Sequence, residues 1–571
     1  MTLEQEVLLK AQAWDSDNYE LAIRQEVKAL IKNGGDPLAD AFYKDLDFGT
    51  GGLRGVMGAG TNRVNKYTLG AATQGLANYL KKQFPGEKVS VAIAHDSRNN
   101  SKAFCKQVAE VLAANGVKAY LFDDLRPTPE LSFAVRHLGC KSGIVITASH
   151  NPPEYNGYKV YWSDGGQLVP PHDKGVIEEV RKVKPEDVKF DNTTNLIEVI
   201  GKELDEAYLK EIENLSFSDA GKDKLKVVFT SIHGTSIISM PPAMKAAGFT
   251  DFHIVEEQAE PNGNFPTVKS PNPEEAEALK MAVDKAKAIN ADIVIGTDPD
   301  ADRVGMAVRD LNGELVLING NQAASVLIYY LLDQWKAAGK LTGKEFVAKT
   351  IVTTDLIDKM AAHYNVDCPN CLTGFKWIAD LIRNNPDKKF IGGGEESYGY
   401  MIGDFVRDKD AIASGVMLAE AAAWAKSKGS SFYEVLIDIY TKFDFYLEDL
   451  VSLTRKGMKG AEEIAKMMED FRTNTPQEIG GERIIQMMDY QSSFTKNLAD
   501  GTQQPIELPK SNVVQFITDK GTKITARPSG TEPKIKFYIS VNTKLADKSD
   551  FGRIKTELES RIVDIKKGLG L

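Results

Sequence analysis

Short apolar runs of strand length alternate with amphipathic helical stretches along most of the chain. In the first round, a helical pattern at 102–114 stands among strand patterns at 89–94, 118–122 and 143–146. The pattern restarts twice, with further strand patterns at 224–229, 254–255, 292–295, 345–353 and 389–391. Because strands that alternate with helices form parallel sheets, the chain is predicted to contain several similar domains of the α/β class.

The two ends of the chain have a different texture. Residues 1–40 have an amphipathic helical pattern that ends near the Asn-Gly-Gly-Asp-Pro run at 33–37. After about residue 446, a helical pattern at 457–471 precedes strand patterns at 513–517, 523–526 and 535–541, and a helix at 549–567 follows them. Consecutive strands closed by a helix predict a smaller C-terminal α+β domain.

Composition and charge exclude several classes of protein. Of the 571 residues, 42% are apolar and 26% charged, which is typical of globular domains and not of a disordered chain. The 70 basic and 80 acidic residues give a net charge of −10, which argues against nucleic acid as the main partner. The first 16 residues are acidic where a signal peptide is basic, and no stretch approaches the length of an apolar membrane span. With four cysteines, no disulfide scaffold is expected, and a reducing cytoplasm is the expected location.

The loop 147–153, Thr-Ala-Ser-His-Asn-Pro-Pro, follows a predicted buried strand. In open α/β sheets ligands bind beyond the carboxyl ends of strands, so this position would expose the Ser149 hydroxyl to a ligand. An ordinary Ser/Asn/Pro turn is the alternative. A hydrolase nucleophile elbow is excluded, because Thr147 and Asn151 stand where its glycines belong.

Three aspartates at alternate positions, Asp298, Asp300 and Asp302, follow another predicted strand. In an extended loop they direct three carboxylates towards one point, which suits a hard cation such as Mg²⁺ with one further oxygen ligand. An EF-hand is excluded, because Arg303 and Arg309 occupy the positions of its glycine and its glutamate. A solvated acidic turn is the alternative, but three such carboxylates repel one another without a cation.

Two further loops carry weaker signals. The run Gly-Gly-Gly-Glu-Glu-Ser-Tyr-Gly at 392–399 follows a strand pattern, and Glu395 and Ser397 could bind vicinal hydroxyls. The run Arg-Pro-Ser-Gly-Thr-Glu-Pro-Lys at 527–534 lies between two strand patterns and offers a guanidinium, hydroxyls and open N–H groups to a phosphate. Plain turns are the alternative for both loops.

Three other features stay open from the residues alone. The Cys368-x-x-Cys371 spacing has no second pair, so a structural turn is favoured over a redox or zinc site. Arg54, in a Gly-rich loop at 48–55, is either solvated or a phosphate ligand. The run His-Asp-Ser-Arg at 95–98 is equally compatible with a domain contact and with a supporting loop.

The four loops together, in this order, resemble those of the α-D-phosphohexomutase family, over about residues 48–538. The resemblance implies four domains, three similar α/β domains and a smaller α+β domain, each contributing one loop to a central cleft. We place these domains at 1–208, 209–318, 319–446 and 447–571. The Gly-Thr-Gly-Gly-Leu-Arg-Gly run at 49–55 is similar to a long phosphoglucomutase subgroup that also contains phosphopentomutases.

The resemblance also implies roles for individual residues. Ser149 would carry the phosphoryl group and complete the Mg²⁺ site of Asp298, Asp300 and Asp302. Further catalytic residues would be Arg54, His150 and two lysines thought to assist proton transfer, Lys159 and Lys409. The substrate would be bound by Arg303, Thr373, Gly374, Glu395 and Ser397. Its phosphate would be bound by Arg527, Ser529, Gly530 and Thr531.

The implied activity is a phosphoglucomutase that converts glucose 1-phosphate to glucose 6-phosphate, with glucose 1,6-bisphosphate as intermediate and activator. Phosphopentomutase and phosphomannomutase are alternatives, and a non-catalytic sugar-phosphate-binding protein is a further one. In the bacterial dual-specificity pattern a histidine follows the Ser-Gly pair, whereas Tyr398, Gly399 and Tyr400 follow Ser397 here. This departure weighs against use of mannose phosphates. The expected partners are sugar phosphates, without nucleic acid or membrane, and the protein is expected to be a monomer or dimer.

Overall fold

The computed structural model describes residues 2–49, 51–190, 193–455, 457–529 and 534–571. The chain forms two compact units. The first unit comprises Met1–Asn319, Phe375–Pro386 and Tyr398–Lys428. The second unit comprises Gly320–Gly374, Asp387–Ser397 and Gly429–Leu571.

The N-terminal region folds into the helices α1 (Leu3–Ala13), α2 (Leu21–Asn33) and α3 (Gly35–Phe42). The prediction that residues 1–40 are helical is confirmed. The predicted end of the helical region near 33–37 was wrong, because α3 continues to Phe42. Pro37 lies in the first turn of α3, where its missing N–H has no partner to lose. Trp14, after α1, stacks on Tyr19 with ring centroids 4.5 Å apart and anchors a small aromatic core.

The first sheet of the first unit has the strand order β1-β5-β4-β2-β3-β6. Strands β2, β3, β4 and β6 run parallel, whereas β5 is antiparallel to β4 and to β1. The predicted elements between 89 and 146 are confirmed to within one residue. The sheet was predicted to be parallel, but β1 and β5 form an antiparallel pair at its edge. In chain order the elements are β1 (Gly52–Val56), α4 (Lys66–Gln83), β2 (Ser90–His95), α5 (Ser101–Ala114), β3 (Lys118–Phe122), α6 (Thr128–His137), β4 (Ser142–Ile146), β5 (Tyr155–Trp162), α7 (His172–Val180), β6 (Ile197–Ile200) and α8 (Lys202–Glu213).

The second sheet of the first unit has the order β11-β10-β9-β7-β8. Strand β7 is parallel to β8 and β9, and β10 turns back antiparallel to β9. The loop that carries Asp298, Asp300 and Asp302 therefore connects a central buried strand to its antiparallel neighbour. The elements are β7 (Lys226–Thr230), α9 (Ser236–Ala246), β8 (Asp251–Ile254), α10 (Ala276–Ala288), β9 (Ile293–Thr297), β10 (Val304–Arg309) and β11 (Leu315–Ile318).

The next region contributes to both units. In the second unit β12 pairs in parallel with β13 and β14. The glycine run at 392–394 was predicted to lie in a loop after the strand at 389–391, but it forms part of β14. Gly393 faces the neighbouring strand so closely that a Cβ would lie 2.5 Å from the Ala348 carbonyl oxygen. The elements are α11 (Gly320–Ala337), β12 (Glu345–Thr350), α12 (Leu356–His363), β13 (Asn370–Cys371), α13 (Lys376–Asn384), β14 (Lys389–Glu395), β15 (Gly399–Ile402), α14 (Ala411–Ser427) and α15 (Phe432–Phe443).

Helix α14 is the most apolar of the described helices, and nearly all of it is buried in the first unit. Its one acidic residue, Glu420, is 1% exposed and forms an ion pair with Lys222 at 2.8 Å. Among the described residues, no helix combines the length and apolarity needed to cross a membrane.

The C-terminal region forms an antiparallel sheet with the order β16-β23-β22-β21-β18-β19-β20, and α16 and α17 contact it. The predicted α+β character is confirmed. Strand β22 continues through Pro528, so Arg527 lies at a strand end and not in a turn as predicted. The elements are β16 (Phe445–Thr454), α16 (Gly457–Thr473), β17 (Glu478–Ile479), β18 (Glu482–Asp489), β19 (Phe494–Asn497), β20 (Gln503–Pro505), β21 (Val514–Thr518), β22 (Lys523–Pro528), β23 (Lys534–Thr543) and α17 (Phe551–Gly568).

Candidate active site

Ser149 lies in the loop after β4, at the carboxyl end of a buried strand. Its backbone φ of 51° is left-handed, a conformation that residues other than glycine seldom adopt. The Thr147 hydroxyl supports this turn by accepting a hydrogen bond from the Ser149 N–H at 2.8 Å and donating one to Asp96 Oδ2 at 2.6 Å. Ser149 Oγ donates to Asp298 Oδ2 at 2.8 Å, so the predicted nucleophile is in contact with the predicted metal loop.

The carboxylates of Asp298, Asp300 and Asp302 converge in the turn between β9 and β10. All three are buried, and one oxygen from each lies within 4.8 Å of the others. Asp298 Oδ1 shapes the turn by accepting hydrogen bonds from the N–H groups of Asp302 and Arg303, both at 3.0 Å. The alternate spacing read from the sequence thus produces the predicted cluster.

The cluster fits a divalent cation. In the described part of the chain, Asp300 Oδ1 and Asp302 Oδ1 are buried without a hydrogen-bond partner, which is costly for a carboxylate unless a cation is bound. Burial and the two neighbouring carboxylates raise the pKa of Asp298 well above its usual range. Oxygen ligands of this kind suit a hard ion such as Mg²⁺.

Two lysines border the aspartates. Lys159, on β5, donates to Asp300 Oδ2 at 2.7 Å and to Asp302 Oδ2 at 2.8 Å. Lys409, before α14, lies 3.2 Å from Asp302 Oδ2. Although burial opposes its charge, Asp300 and Asp302 raise the pKa of Lys159. These lysines likewise hold the pKa of Asp302 well below its usual range despite burial.

Lys409 is held in place by its neighbours. Asp408 Oδ1 lies 3.2 Å from its ammonium, and Asp408 Oδ2 accepts hydrogen bonds from Tyr161 at 2.7 Å and Gln167 at 2.9 Å. Gly399 leaves room for the lysine stem, because a Cβ there would lie 2.1 Å from Lys409 Cδ. A side chain at 399 would therefore displace the lysine.

Three further cationic or titratable residues lie in the same unit. Arg54 was predicted in a Gly-rich loop, but it lies on β1, paired with Gly157 of β5. Its exposed side chain donates to Asn151 Oδ1 in the Ser149 loop at 2.9 Å. His150 Nδ1 lies 3.2 Å from Ser149 Oγ. Burial and the nearby guanidinium groups of Arg303 and Arg54 hold the pKa of His150 well below its usual range, so the ring is neutral at neutral pH. Arg303 pairs with Glu274.

Apart from Arg303, which belongs to the first unit, the predicted sugar-binding residues lie in the second unit. Glu395 ends β14, is 6% exposed, and accepts a hydrogen bond from the Gly374 N–H at 2.8 Å. This contact joins the two segments that were predicted separately, Thr373-Gly374 and Glu395. Ser397 follows two residues later and is half-buried. The neighbouring Glu396 was not predicted; burial and then Glu395 raise its pKa to about 7.

The predicted phosphate-binding residues belong to the same unit. Arg527 is half-buried at the end of β22, and its Nη1 donates to Tyr538 Oη at 3.3 Å. The positive charges of Lys536 and Arg527 oppose the rise in the pKa of Glu396, but burial outweighs them. Ser529 is exposed, whereas Gly530 and Thr531 lie outside the described residues.

Two supporting residues were not assigned from the sequence. The residues of the loop 95–98 are by themselves compatible with a domain contact and with a supporting loop; in the structure, Arg98 donates hydrogen bonds to the Ser149 loop. Thr128, at the start of α6, contacts Asp300. The Arg-Pro-Thr-Pro run at 126–129 was the available signal, but a helix start of this kind is common.

Comparisons with known proteins agree with this architecture. Family models described as phosphoglucomutase/phosphomannomutase α/β/α domains I, II and III match residues 45–187, 206–313 and 319–443. They confirm the three predicted α/β domains. A curated phosphoglucomutase of Staphylococcus aureus strain MRSA252 is 40% identical over 532 residues, which cover 91% of this chain and 95% of the relative.

Solved structures show the same fold. The open form of pp63/parafusin, a phosphoglucomutase from Paramecium, has a TM-score of 0.65 at 17% identity and covers 92% of this chain and 96% of its own. An N-acetylphosphoglucosamine mutase from Aspergillus fumigatus, in complex with GlcNAc-6P and magnesium, has a TM-score of 0.50 at 13% identity and covers 96% of this chain and 100% of its own. The domain matches and the extent of the identity together place this chain in the phosphoglucomutase/phosphomannomutase family.

Proposed function

We propose that the protein is a phosphoglucomutase, which interconverts α-D-glucose 1-phosphate and glucose 6-phosphate through a phosphoserine enzyme and a glucose 1,6-bisphosphate intermediate. The observation that carries this proposal is the hydrogen bond from Ser149 Oγ to Asp298 Oδ2, at 2.8 Å, inside a cluster of three buried carboxylates. A phosphorylatable hydroxyl next to a cation site is what phosphoryl transfer needs. The name of the 40% identical relative supports glucose as the sugar.

Asp298, Asp300 and Asp302 would hold Mg²⁺, with phosphorylated Ser149 as a further oxygen ligand. When bound, this ion would neutralise charge on the transferring phosphoryl group. Among the described residues, the proposal rests on the buried Oδ1 atoms of Asp300 and Asp302, which have no hydrogen-bond partner. The magnesium in the Aspergillus mutase, a protein of the same fold, is consistent with it.

The reaction moves the phosphoryl group from Ser149 Oγ to the free hydroxyl of the sugar phosphate. As the sugar hydroxyl loses its proton, Ser149 Oγ gains one, and Lys159 and Lys409 are proposed to mediate this exchange. Both lie in the carboxylate cluster beside the nucleophile. Arg54 and the neutral His150 border the same loop and would orient the transferring group.

The bisphosphate must turn round before it returns its other phosphate to Ser149. Arg527, Ser529, Gly530 and Thr531 would anchor the non-reacting phosphate in both orientations, because a guanidinium binds phosphate with two parallel hydrogen bonds. Arg303, Thr373, Gly374, Glu395 and Ser397 would bind the sugar. The buried carboxylate of Glu395 is suited to accept hydrogen bonds from vicinal hydroxyls.

We further propose that the protein has the four domain ranges given above. It is proposed to lie in the cytoplasm and to be a monomer or dimer. Sugar phosphates are the proposed partners, with no role for nucleic acid or membrane.

Ser149→Ala is the direct test. The variant should bind glucose 1-phosphate but convert none of it, and it should gain no phosphoryl mass when treated with glucose 1,6-bisphosphate. Ser163→Ala, an exposed serine after β5, is the matched control and should keep full activity and the mass gain. Near-normal turnover by Ser149→Ala would contradict the proposal.

The wild-type protein should be assayed side by side with glucose, mannose and ribose 1-phosphates. The proposal expects the highest kcat/KM for glucose 1-phosphate. A preference for ribose or mannose would replace it by one of the two related mutases. Binding without turnover of all three sugars would support the non-catalytic alternative.

A further inference from the structure

Arg98 is the most completely enclosed arginine near the site, and the proposed mechanism does not use it. Its side chain is 0% exposed and pairs with the equally buried Asp96 at 3.3 Å. Its terminal nitrogens donate to backbone carbonyls of the Ser149 loop, those of Ser149 (2.7 Å), Asn151, Pro152 (2.8 Å) and Tyr155 (3.0 Å).

These acceptors belong to one short segment that carries the nucleophile. Four carbonyls that converge on one guanidinium require the segment to curl around it, because the planar fork has fixed donor directions. Ser149, within this curl, has the left-handed φ of 51°. Such a conformation persists only where surrounding contacts hold it.

Asp96 holds the same turn from the other side. Its Oδ1 accepts from the Arg98 N–H at 2.9 Å and its Oδ2 from the Thr147 hydroxyl at 2.6 Å, and that hydroxyl in turn accepts the Ser149 N–H. The ring of Phe265 closes the arginine off, with its centroid 5.1 Å from Arg98 Cζ. Both backbone groups of Ser149, N–H and carbonyl, are thus tied to the Asp96–Arg98 pair.

We infer that Arg98 is a positioning residue, which holds Ser149 Oγ towards the carboxylate cluster for phosphoryl transfer. The inference rests on the proposed function. Arg98 has no route to the substrate, because its side chain is fully covered. Its loss should therefore slow the transfer step and leave capture of the sugar phosphate nearly unchanged.

Arg98→Ala tests this inference. The kcat for glucose 1-phosphate should fall on the order of 100-fold, since several hydrogen bonds from a charged group are lost. The KM should change less than about threefold, and Ser149 phosphorylation by glucose 1,6-bisphosphate should slow by the same factor as kcat. Added guanidinium ion should restore part of kcat. Arg98→Lys should recover only part of it, because an ammonium cannot reach all these carbonyls at once.

Arg309→Ala is the matched control. Arg309 also donates to two backbone carbonyls, those of Ala291 at 2.9 Å and Gly313 at 2.6 Å, but on the second sheet. This variant should lower the melting temperature and leave kcat within about twofold of wild type. A merely structural Arg98 would behave in the same way, with normal kcat per folded molecule and no effect of guanidinium.

Folded Arg98→Ala with a kcat within about threefold of wild type would overturn the inference. If Arg98→Ala does not fold, Arg98→Lys and Thr147→Val provide the test. A kcat loss of about tenfold or more with unchanged KM would support the positioning role of Arg98. Wild-type kcat in both variants would overturn that role. Wild-type protein inactive on all three sugar phosphates would instead overturn the proposed function. The two failures are therefore distinguishable.

Discussion

Thr128 holds Asp300 by two hydrogen bonds, although 172 positions separate them in the sequence. The Thr128 N–H donates to the Asp300 carbonyl oxygen at 2.8 Å, and its hydroxyl donates to Asp300 Oδ2 at 2.9 Å. The N-terminus of α6, on the first sheet, thereby orients a carboxylate of the cluster on the second sheet. If Asp300 binds the proposed Mg²⁺, a contact that orients this ligand should tune the affinity for the ion.

Thr128→Val should raise the Mg²⁺ concentration needed for half-maximal activity by about 10-fold or more, because the Asp300 carboxylate loses its orienting hydroxyl. Calorimetric titration of the protein with Mg²⁺ should show the same loss. Thr128→Ser keeps the hydroxyl and should stay within about twofold of wild type. Equal Mg²⁺ dependence in all three proteins would show that the hydroxyl does not matter.

Removal of the ion should abolish activity reversibly. Excess chelator should inactivate the wild-type enzyme, and added Mg²⁺ should restore it, because the charge on the transferring phosphoryl group is otherwise not neutralised. Asp300→Ala should stay inactive at any Mg²⁺ concentration. Asp284→Ala, which removes an exposed carboxylate from α10, serves as control and should respond as wild type. Full turnover in chelator would refute the metal requirement.

Lys409→Ala should lower kcat about 100-fold with a smaller change in KM, because the lysine contacts Asp302 and is proposed to exchange the proton. Steady-state kinetics with glucose 1-phosphate measure the effect. Lys428→Ala, an exposed lysine after α14, should leave both constants unchanged. A Lys409→Ala variant with wild-type kcat would leave Lys159 as the remaining candidate.

Arg527→Ala should lower kcat/KM for both glucose phosphates by a factor between about 10 and several hundred, because one or two hydrogen bonds to a charged phosphate are lost. The variant should also release more glucose 1,6-bisphosphate, which can be measured in the reaction mixture. Ser149 should still accept phosphate. Arg483→Ala, an exposed arginine on β18, is the control. An unchanged KM and no additional bisphosphate would show that Arg527 is not the anchor.

The stability of the protein should depend on pH through Asp410, at the N-terminus of α14. Burial raises the pKa of this carboxyl from 3.8 to about 6. The folded state then holds a proton that the unfolded chain releases, so the stabilisation is present below about pH 4 and is lost as pH rises to 6. The shift corresponds to about 3 kcal/mol.

Asp410→Asn should remove this dependence, because the amide does not titrate and still caps the N–H groups of Ile412 and Ala413. Urea unfolding of both proteins at several pH values between 4 and 7 gives the difference in unfolding free energy. This difference should move in favour of the variant as pH rises. A constant difference would contradict the raised pKa.

The sequence by itself determined the buried strands and the chemistry of the loops that follow them. Strands β2, β3 and β4 were predicted to within one residue. For β2 and β4 the reason is that a strand buried on both faces is a nearly uninterrupted apolar run. The Asp298–Asp300–Asp302 cluster was equally readable, since alternate residues of an extended segment share one side.

Only the tertiary structure decided which strands are edges and which residues support the site. Strand β18 was missed because the buried positions of its alternating pattern include Glu482 and Asp489. Strands β19 and β20 were missed because their residues are exposed or half-buried. Glu395 and Arg527 were predicted to lie in loops, but Glu395 is the last residue of β14 and Arg527 is next to the last residue of β22. The glycines before Glu395 and the proline after Arg527 do not suggest a strand. Arg98 and Thr128 gave no distinctive signal of their own. Their partners lie 51 and 172 positions away, and hydrogen bonds over such separations follow from how the sheets pack and not from local sequence.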